Sequence, residues 1–284
     1  MPSVIVDSHQ LFWDPDAVYY SWLVPGYGPI YRSFEPAELE PQLAAAGVER
    51  TVLVQSACNF EDTEAMLAQA AEHEWIGAVV GWVPLYAHKL AEQALDRYMV
   101  DPRFRGVRHL NHEEADPDWL VRPEVIDGLR ILEERGLTYD VIAVYPLHLG
   151  HVPALAQACP DLKMVIDHLA KPPIASGEYD GWKKQMKAAA AFPNVYAKVS
   201  GLNTAAEWET WTASDLVEPI GYALEVFGAE RLLFGSDWPV AILAGDYAKA
   251  VSYTHLRAHE TTSHISYAVF CLKIWGGGGG GGGG

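Results

Sequence analysis

Basic residues are scarce: the 284-residue chain carries 20 Lys+Arg against 37 Asp+Glu, a formal net charge of −17. Proteins that bind DNA or RNA without sequence preference draw affinity from neutralising phosphates with Lys and Arg, so this balance argues against nucleic acid as a partner. An anionic membrane surface is disfavoured for the same reason. Cysteine is scarce too. Cys58, Cys159 and Cys271 lie far apart with no paired spacing, which indicates neither a disulfide framework nor a cysteine zinc site and fits a reducing cytoplasm. No run of 18 apolar residues occurs, and the chain starts directly on a short Val4-Ile5-Val6 run, so neither a membrane span nor an export signal is expected. What remains is half hydrophobic, a globular composition. Its length suits one α/β barrel of roughly 250 residues as well as two average domains.

From about Val251 the chain changes character. Ser252 to Thr261 shows no helical apolar period, and nine glycines, Gly276 to Gly284, close it. This stretch resembles translated sequencing-adapter read-through and is set apart from the fold. Residues 1–250 are therefore expected to form one barrel and 251–284 a non-native, disordered tail, with the closing C-terminal helix missing or replaced. A histidine-bearing tail on a flexible glycine linker is the alternative. His255, His259 and His264 receive no metal role.

Between Val4 and Asp237 one unit recurs: a short β-branched run, a polar turn, a helix-period stretch and another turn. The runs are Val4-Ile5-Val6, Thr51 to Val54, Ile76 to Val83, Arg105 to Arg108, Leu137 to Ile142, Met164-Val165-Ile166, Val195 to Val199 and Leu232-Leu233-Phe234. Their spacing of about 33 residues is what a strand, a crossover helix and two loops need in a parallel sheet. Gly47, Gly136 and Gly228 supply left-handed stops after helices, and Pro36 and Pro123 suit first-turn positions. Eight such units most simply close into a (β/α)8 TIM barrel, although an open doubly wound sheet uses the same local pattern. The first crossover is long and aromatic, from Phe12 to Tyr31, and is expected to lie over the barrel mouth.

Reactive groups of such a barrel sit where strands run into the following loops. The first run leads into Asp7-Ser8-His9-Gln10-Leu11, the fourth ends in Arg108-His109, and the fifth contains Tyr139-Asp140. The sixth leads into Asp167-His168-Leu169-Ala170-Lys171-Pro172, the seventh ends in Lys198-Val199-Ser200-Gly201, and the eighth leads into Gly235-Ser236-Asp237-Trp238-Pro239. Histidines that polarise a carbonyl or bind a metal, facing an aspartate that takes a proton from water, are the equipment of hydrolysis. A carboxylate at the end of a buried strand is costly without a task, which singles out Asp237. An arginine at the mouth suits a polar or anionic substrate oxygen, and an aromatic face beside the acid suits a sugar ring. His148-Leu149-Gly150-His151 has a ligand-like spacing but opens a peripheral helix and is expected at the surface.

The same segments, with Phe12-Trp13-Asp14-Pro15, Gly106-Val107-Arg108-His109 and Lys198-Val199-Ser200-Gly201-Leu202, resemble the amidohydrolase-2 family. Within it they are most similar to the sugar-lactone hydrolases of the L-fuconolactonase group, related to the 2-pyrone-4,6-dicarboxylate lactonases. The resemblance spans about residues 3–249. It implies a TIM barrel and a carboxylic ester hydrolase of carbohydrate catabolism that opens a sugar-acid lactone by water attack. Asp237 would be the base, with His168 and His9 at the carbonyl oxygen and Arg108, His109, Tyr139, Lys198 and Trp238 around the substrate. The family usually reads His-x-His after the first strand, where this chain has His9 and Leu11. No metal cofactor is therefore expected; a weakly bound divalent ion such as zinc would have to use His9, His168 and Asp237. A metal-dependent decarboxylase and a non-catalytic or truncated ligand-binding barrel stay open as alternatives. The partner expected is a small-molecule lactone.

Overall fold

All eight apolar runs form strands: β1 (Val6–Gln10), β2 (Arg50–Val54), β3 (Ile76–Gly81), β4 (Phe104–Arg108), β5 (Thr138–Val141), β6 (Lys163–Ile166), β7 (Val195–Val199) and β8 (Leu232–Phe234). The computed structural model describes residues 4–251. The strands are hydrogen-bonded in sequence order, β1 through β8, and neighbours are parallel. The ring closes beyond the end of β8, where Asp237 N donates to His9 O and Leu11 N to Trp238 O, each at 2.8 Å. The result is a (β/α)8 TIM barrel. What was expected of residues 252–284, the closing helix included, lies outside the described residues.

Seven helices fill the crossovers among the described residues: α1 (Pro36–Ala46), α2 (Phe60–Glu72), α3 (His88–Tyr98), α4 (Pro123–Glu134), α5 (Val152–Ala158), α6 (Asp180–Ala190) and α7 (Val217–Phe227). Their apolar stripes cover the outside of the barrel. In α3 the buried residues are Ala91, Ala94, Leu95 and Tyr98, and in α4 they are Val125, Gly128, Leu129 and Leu132, each set one face of a 3.6-residue period. Pro36 and Pro123 occupy first-turn positions, and Gly47, Gly136 and Gly228 follow their helices with positive φ. No helix among the described residues is long and apolar enough to cross a membrane.

Strand β1 runs further than its apolar run. Val4 and Ile5 precede it, and the polar Asp7, Ser8, His9 and Gln10 continue it, all buried. Hydrogen bonding explains this: Ser8 Oγ donates to Phe234 O, and Ser236 N donates to Asp7 Oδ1 at 2.8 Å. Buried polar groups survive in a strand when neighbouring backbone partners them. His9 thus sits on a strand rather than in the loop after it.

The barrel interior is layered. An aliphatic layer of Val6, Val52, Val54, Ala78, Val80, Val165 and Leu233 fills its lower part. Side chains alternate sides along a strand, so two residues beyond this layer the same strands turn charged groups inward. Asp167 lies two residues after Val165 in this sense, and Lys198 two after Tyr196, which packs on the aliphatic layer. Arg108 and Asp140 join them from β4 and β5.

Candidate active site

The charged layer is a hydrogen-bonded cluster. Lys198 Nζ donates to Asp140 Oδ2 and stands 3.1 Å from both His9 Nδ1 and Asp167 Oδ1. Arg108 Nη1 donates to Asp167 Oδ2 at 3.0 Å and reaches His9 Nε2 at 3.3 Å. Burial opposes the charge on Asp167, but Lys198 and Arg108 outweigh it and hold the carboxyl well below its usual range. Burial likewise opposes the charge on Lys198, which Asp140 and Asp167 hold above the usual lysine value. Asp167 and Lys198 therefore sit together as an ion pair. His9 between them is neutral: burial lowers it to about 3 against the pull of Asp167.

Above this cluster lie Asp237 and His168. Asp237 Oδ1 is 3.7 Å from His9 Nε2 and 3.8 Å from His168 Nε2. The rings of His9 and His168 meet edge to face with centroids 4.6 Å apart. Burial raises Asp237 to about 6, with Lys171 and Arg108 opposing, and its Oδ2 meets no hydrogen-bond partner among the described residues. Burial lowers His168, and neighbouring His9 adds to this. Ser200 Oγ lies 2.9 Å from His168 Nδ1. Room for this arrangement comes from Gly201, whose φ of +58 suits glycine and where a Cβ would overlap Asp237 Oδ2.

His168 is presented by unusual backbone. His168, Leu169, Ala170 and Lys171 all have positive φ, between 48 and 62. A left-handed turn of non-glycine residues costs roughly 1–2 kcal/mol per residue. Partners from outside hold it: Trp182 Nε1 donates to Leu169 O at 2.7 Å, Tyr145 N to Ala170 O at 2.9 Å, and Lys171 Nζ to Thr204 Oγ1 at 2.8 Å. The turn aims His168 and Lys171 into the barrel mouth.

A cavity of about 260 Å³ opens there. Asp237, His168, Arg108, Asp167, Lys171 and His112 form its polar wall. Its apolar lining comes from Leu11, Ile30, Leu110, Ile142 and Val240, and Trp22 and Tyr27 of the first crossover line it too, as the aromatic content of that crossover suggested. Of the three residues expected to carry catalysis, Asp237 and His168 line the cavity, whereas His9 is fully buried behind them.

Of the five expected substrate contacts only Arg108 lines it. Tyr139 points outward into the core between sheet and helices, because on β5 it alternates with the inward-facing Asp140. His109 faces away from Arg108 by the same alternation. Its Nδ1 accepts from Trp82 Nε1 at 3.0 Å, its Nε2 lies 2.8 Å from Glu114, and its ring stacks on Trp119 at 3.9 Å. Trp238 packs edge to face on Phe12 and Phe34 in the outer core. Lys198 faces inward but is occupied by Asp140, Asp167 and His9. His148, expected at the surface, is 5% exposed. Strand alternation read from Thr138 and Val165 would have found Asp140 and Asp167; nothing in the sequence signals the left-handed turn that brings in Lys171.

His9, His168 and Asp237 also form a group of possible metal donors, their ligand atoms within 4.8 Å of one another. Two imidazoles and a carboxylate match a catalytic zinc site in type and number.

Residues 6–271 match the amidohydrolase family model Amidohydro_2. An L-fucono-1,5-lactonase of Burkholderia ambifaria is 42% identical over 245 residues, covering 85% of this chain and 82% of that one. A second L-fucono-1,5-lactonase, from Burkholderia multivorans, is 34% identical over 98% of this chain and 95% of its own. The crystal structure of an amidohydrolase from Burkholderia multivorans with bound HEPES superposes with a TM-score of 0.89 at 31% identity, covering 96% of this chain and 99% of that one. Another crystal form, with bound zinc, gives the same TM-score at 29% identity and the same coverage. A family model that spans most of the barrel and relatives aligned along most of their length lead to one conclusion: the chain belongs to the amidohydrolase family.

Proposed function

We propose that this protein is a lactonase that hydrolyses a sugar-acid lactone of the L-fucono-1,5-lactone type. The observation that carries the reading is Asp237, a buried carboxylate with an open oxygen beside His168 at the cavity floor, in a chain that aligns with L-fucono-1,5-lactonases along most of its length. Water enters next to Asp237, which accepts a proton as the water oxygen bonds to the lactone carbonyl carbon. The carbonyl oxygen becomes an oxyanion. Ser200 Oγ lies 2.9 Å from His168 Nδ1; in this mechanism the hydroxyl is the donor, which keeps the imidazole proton on Nε2 and directs it at the reacting group. Collapse breaks the ring C–O bond, the proton on Asp237 passes to the leaving oxygen, and the open-chain acid ionises with release of one proton. The apolar wall of Leu11, Ile142 and Val240 faces the less polar side of the sugar.

His9 Nε2, His168 Nε2 and Asp237 Oδ1 would hold a divalent ion, which when bound would acidify water and polarise the carbonyl. We infer that the chain's own groups act without it. Leu11 stands where the family carries its second histidine, and the Arg108 guanidinium already contacts His9 Nε2. Turnover of L-fucono-1,5-lactone in a pH-stat, with and without a chelator, tests both statements. Proton release that survives the chelator is expected, with little zinc retained through dialysis. Leu11→His should raise the retained metal. No turnover of any aldonolactone would reject the lactonase reading, and stoichiometric zinc with chelator-abolished activity would reject the metal-free one.

A further inference from the structure

We propose that Arg108 is a catalytic residue, its guanidinium holding the carbonyl oxygen as it becomes the oxyanion of the tetrahedral intermediate. This rests on the lactone-hydrolysis reading, and it gives Arg108 the task that residue type and position suggested for His9. His9 is fully buried and does not line the cavity, whereas Arg108 does. Neutral His9 has one N–H and one acceptor nitrogen: with Nε2 accepting from Arg108 Nη1 at 3.3 Å, its proton is on Nδ1, which lies 3.3 Å from Asp167 Oδ1. An imidazole so placed supports the guanidinium and turns its proton to Asp167 rather than to a ligand.

The guanidinium is also fixed in place before any ligand arrives. Its Nε donates to Gln55 Oε1 at 3.1 Å, Nη2 to Gln55 O, and Nη1 to Asp167 Oδ2 at 3.0 Å and to His9 Nε2. An arginine has five N–H groups; these contacts use four, and the fifth, on Nη2, has no hydrogen-bond partner among the described residues. The His9 contact is the longest of the four and is the one a carbonyl oxygen can displace. Arg108 and Asp237 both lie within 4 Å of His9 Nε2, so a carbonyl bound over that atom has the base on one side and a permanent cation on the other. A donor held rigid and aimed at charge that exists only in the transition state acts on kcat rather than on ground-state binding. The proton balance is unchanged, because Arg108 stays protonated throughout.

The test has two arms. In the first, kcat and KM for L-fucono-1,5-lactone are compared in the parent, Arg108→Lys and Arg108→Ala. The expected result is a fall in kcat of about 100-fold or more in Arg108→Ala, KM within about threefold, and partial recovery on adding guanidinium ion. Arg108→Lys keeps the charge but not the planar fork, so it should lose at least about tenfold in kcat while its melting temperature stays near the parent's. A raised KM at parental kcat in either variant overturns the proposal. The second arm needs no turnover. Methylphosphonate, a tetrahedral anion, is titrated calorimetrically into the parent and both variants; binding by the parent that weakens at least about tenfold in Arg108→Ala is expected. Absent binding to the parent, or equal binding to all three, overturns the proposal. A parent that binds methylphosphonate through Arg108 yet opens no aldonolactone would instead reject the lactonase reading alone.

Discussion

Asp237 carries a free-energy cost that a neutral side chain in its place would avoid. Burial raises it from the ordinary 3.8 to about 6, and each unit of such a shift corresponds to about 1.4 kcal/mol. A folded-state value above the unfolded one means that stability is full at low pH and lost as pH rises through about 6. At pH 8 the ionised carboxylate thus costs roughly 3 kcal/mol. Asp237→Asn removes that cost, and asparagine tolerates the positive φ of 60 found there. The variant should be more stable than the parent in urea at pH 8, with the difference gone near pH 3.5. Its kcat should fall about 100-fold or more, a typical general-base contribution. The parent's activity should drop on the acid side near pH 6, and any residual activity of Asp237→Asn should lack that limb. A variant with near-parental turnover would transfer the base's role to a histidine.

The elements show which features the sequence makes legible. β-branched runs and glycine stops reveal eight strands and the helix ends, because burial on both sides of a parallel strand leaves a continuous apolar signature. The mouth of the barrel breaks that rule. There Asp7 to Gln10 are strand residues despite their polarity, and Asp140 rather than Tyr139 faces inward, which only the two-residue alternation discloses. The turn from His168 to Lys171 is the least legible element, since its left-handed backbone contains no glycine and is held by partners distant in sequence. Trp182 on α6 is the foremost of these, through its indole hydrogen bond to Leu169 O. Trp182→Phe keeps the ring packing and deletes this bond, leaving a buried carbonyl unpartnered at a cost of about 1–3 kcal/mol. The turn then relaxes and His168 moves off its line to Asp237. A kcat reduced at least about tenfold is expected, larger than the change in KM, together with a lower melting temperature; a destabilised variant with parental kcat would show that the turn holds without the indole.

For the whole molecule, the notable choice is to fill the upper barrel with ions. Lys198 joins β1, β5 and the end of β6 through His9, Asp140 and Asp167, so its ammonium ties together parts of the ring far apart in sequence. Removing one member of a buried ion pair commonly costs about 3–5 kcal/mol, because the partner stays charged without compensation. Lys198→Met should therefore lose about that much at pH 8. Asp167 keeps Arg108, but Asp140 has lost the partner that lowers it, while burial, which already raises it to about 6, remains. Its folded-state value rises further, so the variant's deficit should shrink as pH falls and Asp140 takes up a proton. The double variant Lys198→Met/Asp140→Asn removes both charges together. Groups in one network couple, so its loss should be smaller than that of Lys198→Met alone. Urea unfolding of the parent, Lys198→Met, Asp140→Asn and the double variant at pH 5 and pH 8 measures this coupling. Additive losses, independent of pH, would mean that Lys198 contributes only packing and that the ionic layer does not hold the barrel mouth together.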